Sequence, residues 1–272
     1  MGSGLRVRHL NCAHFSAGKI GGAPLACNVL LVETPADGFV LVDTGLGSAD
    51  YASISSRLGW AFAHLTARPV VDPALAAVAQ MRALGLDPAD VRHVVLTHLD
   101  LDHVGGLSDF PRATVHVHGS EHDAAVRRSG RVARLRYRPV LWSHAPMFRT
   151  YRAVGEPWLG FDAVRALDGL PTEILLVPLP GHTVGHCGVA LDTDHGWLLH
   201  AGDAYFDPRQ IDGPSRRCAP DLDIYQRMIA ADRTLWAHNE ARLRQLVHDH
   251  PEVTVFSAHD PGFTLDTGWA HD

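Results

Sequence analysis

The sequence predicts a protein of the α/β class, because short apolar runs with the length of strands alternate with helical patterns along the chain. One helical pattern covers residues 72–85, where Asp72 and Pro73 are suited to begin a helix and Gly85 to end it. A second, amphipathic pattern covers about residues 231–249. Strands and helices interleaved in this way are typical of β-sheets covered by helices.

The predicted strands account for most of the other apolar residues. They lie at residues 26–34, 39–45, 91–97, 113–118, 173–179, 187–191, 196–202 and 253–259. The runs at 187–191 and 196–202 flank the turn "DTDH", so we expect them to pair as a hairpin.

All 272 residues (1–272) are expected to form one domain, since no linker rich in glycine, proline or serine divides them. The segment at about 119–170 differs from the rest, because it carries six arginines between Arg127 and Arg138 and then four large aromatic residues. We interpret it as an insertion or lid over the core, with an ordinary solvated helix as the alternative. Its aromatic residues are predicted to line an apolar substrate channel. They are Trp142, Phe148, Tyr151 and Trp158.

Composition and charge argue against several classes of protein. Lys+Arg 24 against Asp+Glu 30 gives a net charge of -6, so a basic surface for nucleic acid is not expected. No apolar stretch approaches the roughly 18 residues of a membrane span, and no secretory signal is recognisable. The four cysteines are widely spaced, which argues against a disulfide framework. We therefore expect a cytoplasmic protein that binds neither nucleic acid nor membranes.

The segment "THLDLDHVGG", residues 97–106, contains the first candidate site. Four side chains that can bind a metal follow a predicted strand within six residues: His98, Asp100, Asp102 and His103. One histidine at such a place is usually a polar residue of a surface turn, but this cluster is much harder to explain in that way. In a turn from strand to helix, His98 and Asp100 can face one metal, while Asp102 and His103 face a second.

Three further candidate ligands stand at the ends of other predicted strands. His182 follows the run at 173–179, Asp203 follows the run at 196–202, and His259 ends the run at 253–259. Strands fix positions and the loops after them supply functional groups, so we expect an active site at one edge of the sheet.

These motifs resemble those of the metallo-β-lactamase-fold hydrolase superfamily. Its signature is H-x-H-x-D-H followed by two glycines, then a downstream histidine, a bridging aspartate and a last histidine. "VDTG" at 42–45 and "GHTVGH" at 181–186 match further motifs, so the resemblance runs from about Asp43 to His259. It implies an αββα sandwich with the metals at one edge of the two packed sheets. Length and layout are most similar to the N-acyl-homoserine lactonase branch.

The resemblance also implies a role for each candidate residue. Two divalent metals would be bound, one by His98, Asp100 and His182, the other by Asp102, His103 and His259, with Asp203 as the bridge. Asp43 would orient ligands, and His186 would support them without binding metal. Tyr205 is a candidate electrophile for the substrate carbonyl, with packing as the alternative.

Asp100 departs from the family signature, which has a histidine at that place. A carboxylate is an acceptable ligand for zinc, iron or manganese, so we expect zinc and keep iron and manganese as alternatives. A carboxylate is harder than imidazole and carries a charge. The sequence therefore predicts tighter zinc binding by the Asp100→His variant.

The chemistry that follows is hydrolysis, because two divalent metals can lower the pKa of a shared water toward about 7 and polarise a carbonyl. We predict an enzyme in which a metal-bound hydroxide opens a lactone or ester-type bond of a small molecule, with Asp102 or Asp203 managing the proton. A glyoxalase II-like thioesterase, a β-lactamase and a phosphodiesterase of the same fold are alternatives. A metal-bearing binding or regulatory module with little turnover is another, and a homodimer is an open alternative to a monomer.

Overall fold

Two β-sheets packed face to face form the centre of the computed structural model, which describes residues 5–16, 24–34, 38–152, 155, 157–161 and 165–265. Within these residues the first sheet has six strands in chain order: β1 (Arg6–Phe15), β2 (Leu25–Thr34), β3 (Gly38–Val42), β4 (Val91–Val95), β5 (Thr114–His118) and β6 (Met147–Tyr151). β1, β2 and β3 pair antiparallel, whereas β3 to β6 run parallel to one another.

The second sheet contains five strands in the described part of the chain: β7 (Arg165–Ala166), β8 (Ile174–Pro178), β9 (Cys187–Thr193), β10 (Gly196–His200) and β11 (Thr254–Phe256). β9 and β10 form the predicted antiparallel hairpin, and β10 pairs parallel with β11. β8 also pairs antiparallel with β9. The carboxyl ends of β8, β10 and β11 therefore point to the same edge.

Helices cover the outer faces of both sheets. The described α-helices are α1 (Ser48–Ala52), α2 (Ile54–Leu58), α3 (Ala77–Ala83), α4 (Leu101–Val104), α5 (Gly119–Arg127), α6 (Gly130–Arg136), α7 (Pro220–Ile229) and α8 (Arg233–Asp249). Every helix in this part of the chain is too short or too polar to cross a lipid bilayer.

Strand residues alternate between two faces, as the period of two requires, and this alternation produces the layers. In β2, Leu30 and Val32 pack between the two sheets, while Leu31 packs with residues of α3 such as Met81. In the second sheet Leu199 packs outward, in one cluster with residues of α8. The order helix, sheet, sheet, helix confirms the expected αββα sandwich.

The helix predicted at residues 72–85 is interrupted. Asp72 accepts a hydrogen bond from the N–H of Ala74 at 3.0 Å, as a capping residue should, and a 3₁₀ turn spans Pro73–Leu75. Ala76 then leaves the helical region with a ψ of 135°, and α3 begins only at Ala77. The periodicity of the apolar residues did not reveal this break.

The segment at about 119–170 contributes to the first sheet as well as to its surroundings. It contains α5 and α6, and it also supplies β6, which pairs with β5 over five residue pairs. Strand pairing at this edge makes part of the segment integral to the core. Its role as a lid stays a prediction.

Candidate metal centre

The strands that run toward one edge of the sheets are followed by the candidate ligands. β4 precedes the segment 97–106, β8 precedes His182, β10 precedes Asp203, and β11 precedes His259. β3, which runs parallel to β4, ends directly before Asp43. The structure brings all of these side chains to one edge of the sandwich.

The candidate ligands form two groups, and the potential ligand atoms of each group lie within 4.8 Å of one another. The first group is His98, Asp100, His182 and Asp203, and the second is Asp102, His103 and His259. The division between the groups is the one that the resemblance implied.

Asp203 lies between the two groups. Its Oδ2 is 3.4 Å from Nε2 of His182 and 3.2 Å from Nε2 of His259. Its Oδ1 is 3.3 Å from Nε2 of His103. One carboxylate therefore reaches histidines of both groups, as a bridging ligand must.

The separations within the first group suit a metal ion. Ligand atoms at about 2.1 Å from a tetrahedral zinc lie about 3.4 Å from one another. Oδ2 of Asp100 is 3.4 Å from Nε2 of His98 and 3.0 Å from Nε2 of His182. Three buried atoms, Nε2 of His98, Nε2 of His103 and Oδ1 of Asp203, make no hydrogen bond within the described residues. Buried polar atoms are nearly always hydrogen-bonded, so these residues fit a site that divalent metals complete.

Two histidine rings are oriented by contacts at Nδ1 that turn Nε2 toward the centre. Nδ1 of His103 lies 2.9 Å from Oδ2 of Asp43. Nδ1 of His259 donates to the backbone carbonyl of Ala26 at 2.8 Å. A proton on Nδ1 leaves the lone pair of Nε2 available, which is the form that a metal needs.

Asp43 supports both groups of ligands. Its Oδ1 accepts from the N–H of Thr97 at 2.8 Å, and its Oδ2 accepts from the hydroxyl of Thr97 at 2.7 Å. That hydroxyl lies 2.9 Å from Nδ1 of His98. Asp43 has a positive φ of 59°, a strained conformation that aspartate adopts more readily than most residues. Its predicted orienting role thus has a geometric basis in each group.

His186 uses both ring nitrogens for hydrogen bonds. Nδ1 donates to the carbonyl of Leu179 at 3.0 Å, and Nε2 accepts from the N–H of Asp203 at 2.8 Å. With its lone pair occupied, the ring positions the backbone of Asp203. This arrangement fits the predicted supporting role.

The charged side chains of the two groups perturb one another strongly. Burial would raise the pKa of Asp203, but His259 and His103 outweigh burial and lower that pKa well below its usual value. Burial would lower the pKa of His103, but the carboxylate of Asp203 outweighs burial and raises it well above its usual value. Burial and the guanidinium of Arg136 lower the pKa of His182 to about 4. The carboxylate of Asp203 is thereby kept ionised, as binding to a metal requires.

Glu121 of α5 connects two of the loops that carry candidate ligands. Its Oε1 accepts from the N–H of Leu99 at 3.0 Å, and its Oε2 accepts from the N–H of Gly185 at 3.1 Å. The fully buried carboxylate thus fixes the segment 97–106 against the loop of His182. No motif or spacing marks this residue, because its partners are distant in sequence.

Arg136 reaches the centre from the last turn of α6. Its Nε lies 3.2 Å from Oδ1 of Asp100, in an ion pair rather than a well-aligned hydrogen bond. Nη1 donates to the carbonyl of His182 and Nη2 to the carbonyl of Ile229, both at 2.7 Å. The sequence contains six arginines in this region, and only the fold shows which one turns inward.

A cavity of about 490 Å³ adjoins the two ligand groups. Its polar wall includes Asp100, Asp102, His182, Asp203 and His259. Much of the remaining wall is apolar and includes Phe15, Trp60, Leu135, Phe206, Tyr225 and Met228. Cavities of this kind bind small molecules that combine an apolar part with a few polar groups.

The four aromatic residues predicted to line a channel are not among the described residues of this wall. Trp142 and Phe148 are half-buried and pack against the core cluster on the outer side of the first sheet. Tyr151 packs between the sheets, and Trp158 packs in the core of the second sheet. The prediction was wrong because Tyr151 is buried in the core and the other three rings pack against core clusters, while Leu135 of α6 forms part of the cavity wall instead.

Tyr205 also lies outside the described cavity wall. It is 1% exposed and packs in the apolar cluster between the second sheet and α8. This position fits the packing alternative, and its role as an electrophile stays a prediction. Tyr225 of α7 is a tyrosine that does line the cavity.

The match to a family model agrees with this fold and site. The model described as the metallo-beta-lactamase superfamily matches residues 22–259. The chain therefore belongs to the metallo-β-lactamase superfamily, as its motifs indicated.

Individual relatives define the class of protein further. Probable metallo-hydrolases of Mycobacterium tuberculosis and Mycobacterium bovis are each 42% identical over 262 residues, 96% of this chain and 82% of theirs. An N-acyl homoserine lactonase of Agrobacterium fabrum is 51% identical over 57 residues, 21% of this chain and 22% of its own. The chain is accordingly a metallo-hydrolase related to lactonases.

A solved structure shares the fold. It is an N-acyl homoserine lactone hydrolase with the product N-hexanoyl-L-homoserine at its catalytic metal centre. The match has a TM-score of 0.69 and 19% identity, and covers 96% of this chain and 95% of that one. The likeness extends over nearly the whole of both chains.

Proposed function

We propose that the chain opens a lactone or ester-type bond in a small, partly apolar substrate, using two bound divalent metals. The observation that carries this proposal is the pair of ligand groups that share Asp203 and adjoin one largely apolar cavity. The relatives named N-acyl homoserine lactonase favour a lactone as the first substrate to test.

The ligands are assigned from the two groups of side chains. His98, Asp100 and His182 would hold one metal, Asp102, His103 and His259 would hold the other, and Asp203 would serve both. Mixed nitrogen and oxygen ligands suit zinc first, with iron or manganese as alternatives. When bound, such metals lower the pKa of a shared water and polarise a carbonyl oxygen.

We assign the transfer of the proton of the attacking water to Asp102 or Asp203, because both carboxylates lie in the cavity wall. A carboxylate beside the attacking water can accept its proton and return it to the leaving oxygen. The apolar wall formed by residues such as Trp60 and Met228 would hold the apolar part of the substrate. It would also exclude water that competes for the polar groups.

Metal analysis of the purified chain, combined with a panel of substrates, tests the proposal. We expect two metal ions per chain, loss of turnover after chelation, and faster turnover of lactones than of thioesters, β-lactams or phosphodiesters. A preference for one of these other substrates would replace the lactone by that class. Bound metal without turnover of any of them would favour a binding module.

A further inference from the structure

The carboxylate of Asp100 divides its two oxygens between different partners. Oδ2 faces the first ligand group, at 3.4 Å from Nε2 of His98 and 3.0 Å from Nε2 of His182. Oδ1 faces away from that group and lies 3.2 Å from Nε of Arg136. Only one oxygen is therefore directed at the place where the metal would lie.

Asp100 and Arg136 are largely withdrawn from solvent. Their side chains are 13% and 10% exposed, so their interaction is screened much less than that of a surface pair. Asp102 and Asp203 bring two more carboxylates into the same centre. An additional buried negative charge there is unfavourable unless a cation offsets it.

The guanidinium of Arg136 is fixed on all sides. Besides the ion pair through Nε, its two terminal nitrogens donate to the carbonyls of His182 and Ile229. α6 contributes no fully buried residue of its own, so these contacts determine where the guanidinium lies. Arginine suits such a place because its planar fork keeps its charge and satisfies several acceptors at once.

We propose that Arg136 is a positioning residue for the metal centre and that it acts through Asp100. The guanidinium offsets the charge of the Asp100 carboxylate and holds its Oδ1, so that Oδ2 alone faces the metal. The pair has no net charge, and in this respect it equals a neutral histidine. The inference rests on the proposed function, in which Asp100 is a metal ligand.

This pairing reverses one expectation drawn from the sequence. A histidine at position 100 would leave the positive charge of Arg136 unopposed beside a bound cation. Asp100→His should therefore weaken zinc binding, and removal of the arginine from that variant should restore it.

Zinc titrations of the metal-free full chain, against a competing chelator, test the proposal. We expect Asp100→His to weaken zinc binding by about 10- to 100-fold, the usual effect of disturbing groups around a metal ligand. Asp100→His combined with Arg136→Met should return to nearly the wild-type affinity. The proposal is overturned if Asp100→His binds zinc as tightly as the wild type, or if Arg136→Met weakens that variant further.

The unfolding temperature of the metal-free chain gives a second readout. Asp100→His and Arg136→Met each leave one buried charge unpaired, so each should lower Tm. The double variant leaves neither, so its Tm should fall by less than the sum of the two changes. Additive changes would contradict the pairing. Arg134→Met removes an exposed arginine from the same helix and is the matched control, with unchanged Tm and zinc affinity expected.

The wild-type titration separates this inference from the proposed function. A wild-type chain that binds no zinc, iron or manganese would overturn the proposed metal site, and the role of Arg136 with it. A wild-type chain that binds metal, with Asp100→His unimpaired, would overturn only the role of Arg136.

Discussion

Replacement of Asp43 by asparagine is expected to weaken metal binding while the fold survives. The carboxylate accepts at both oxygens: Oδ1 from the N–H of Thr97, and Oδ2 from the hydroxyl of Thr97 and from Nδ1 of His103. An amide has one accepting oxygen and one donating NH₂ group. In either orientation its NH₂ opposes a donor, either the N–H of Thr97 or the Nδ1 proton of His103. Avoiding the second conflict would move the proton of His103 to Nε2, the nitrogen that faces the other candidate ligands.

The size of the effect follows from the bonds that are lost. Each hydrogen bond to a charged group contributes about 1.5–3 kcal/mol, so losing one or two of the three should lower the free energy of unfolding by about 1.5–6 kcal/mol. Loss of the group that orients a metal-binding histidine usually lowers metal affinity by about 10- to 100-fold. That is about 1.4–2.8 kcal/mol of binding free energy.

Chelator competition measures the metal affinity of Asp43→Asn, and circular dichroism confirms that the variant is folded. Asp50→Asn is the matched control, because Asp50 is also buried and accepts from the N–H of Gly47 and from Nε of Arg57, neither of which belongs to a candidate ligand. We expect the control to lose stability but to keep its metal affinity. An Asp43→Asn chain with unchanged metal affinity would refute the orienting role.

Three further perturbations have distinct expected outcomes. Asp203→Ala removes the carboxylate that reaches histidines of both groups, so metal content should fall at both sites and turnover should be lost. Full metal content in this variant would exclude the bridging role. Leu135→Asn with Met228→Gln should raise KM more for substrates with long apolar chains than for short ones, because both side chains line the cavity; equal changes in KM would contradict this. Glu121→Gln places an NH₂ group against the backbone N–H of either Leu99 or Gly185, so Tm should fall by several degrees. An unchanged Tm would show that these two hydrogen bonds contribute little to stability.

The positions of the candidate ligands were predictable from the sequence because they depend on strand ends. His182 and Asp203 follow, and His259 ends, a run of apolar residues with the length of a short strand, and parallel strands end at the same edge. Their chain order then matched the family signature. The order of strands and helices could likewise be predicted from short stretches of sequence, and that order predicted the α/β class.

The cavity wall was not predictable in the same way. Trp142 and Phe148 were expected to line a channel, since large rings near an arginine-rich segment suggested a binding surface. Sequence shows that a ring is present but not the face to which it turns, and in the fold these two half-buried rings pack against the core of the first sheet. Smaller side chains such as Leu135 occupy the wall instead.

The electrostatic environment of Asp100 was not predictable from the sequence either. The sequence presents it as an added negative charge, and that reasoning predicted tighter zinc binding by Asp100→His. The compensating cation lies 36 residues away in sequence, among several other arginines, and only the fold brings Arg136 to Oδ1 of Asp100. Electrostatic consequences of a substitution depend on such distant partners, whereas the identity of a ligand can be read locally.

α6 links the shape of the cavity to the charge at the ligand groups. Its Leu135 lines the cavity, whereas Arg136, the next residue, contacts Asp100 and the carbonyl of His182. The same guanidinium also donates to the carbonyl of Ile229, which ends α7, and α7 contributes Met228 to the cavity wall. A change at Arg136 should therefore disturb two helices that line the cavity together with the orientation of Asp100. Substrate selectivity and metal affinity are expected to change together in variants of this residue, because Arg136 both lines the cavity and contacts Asp100.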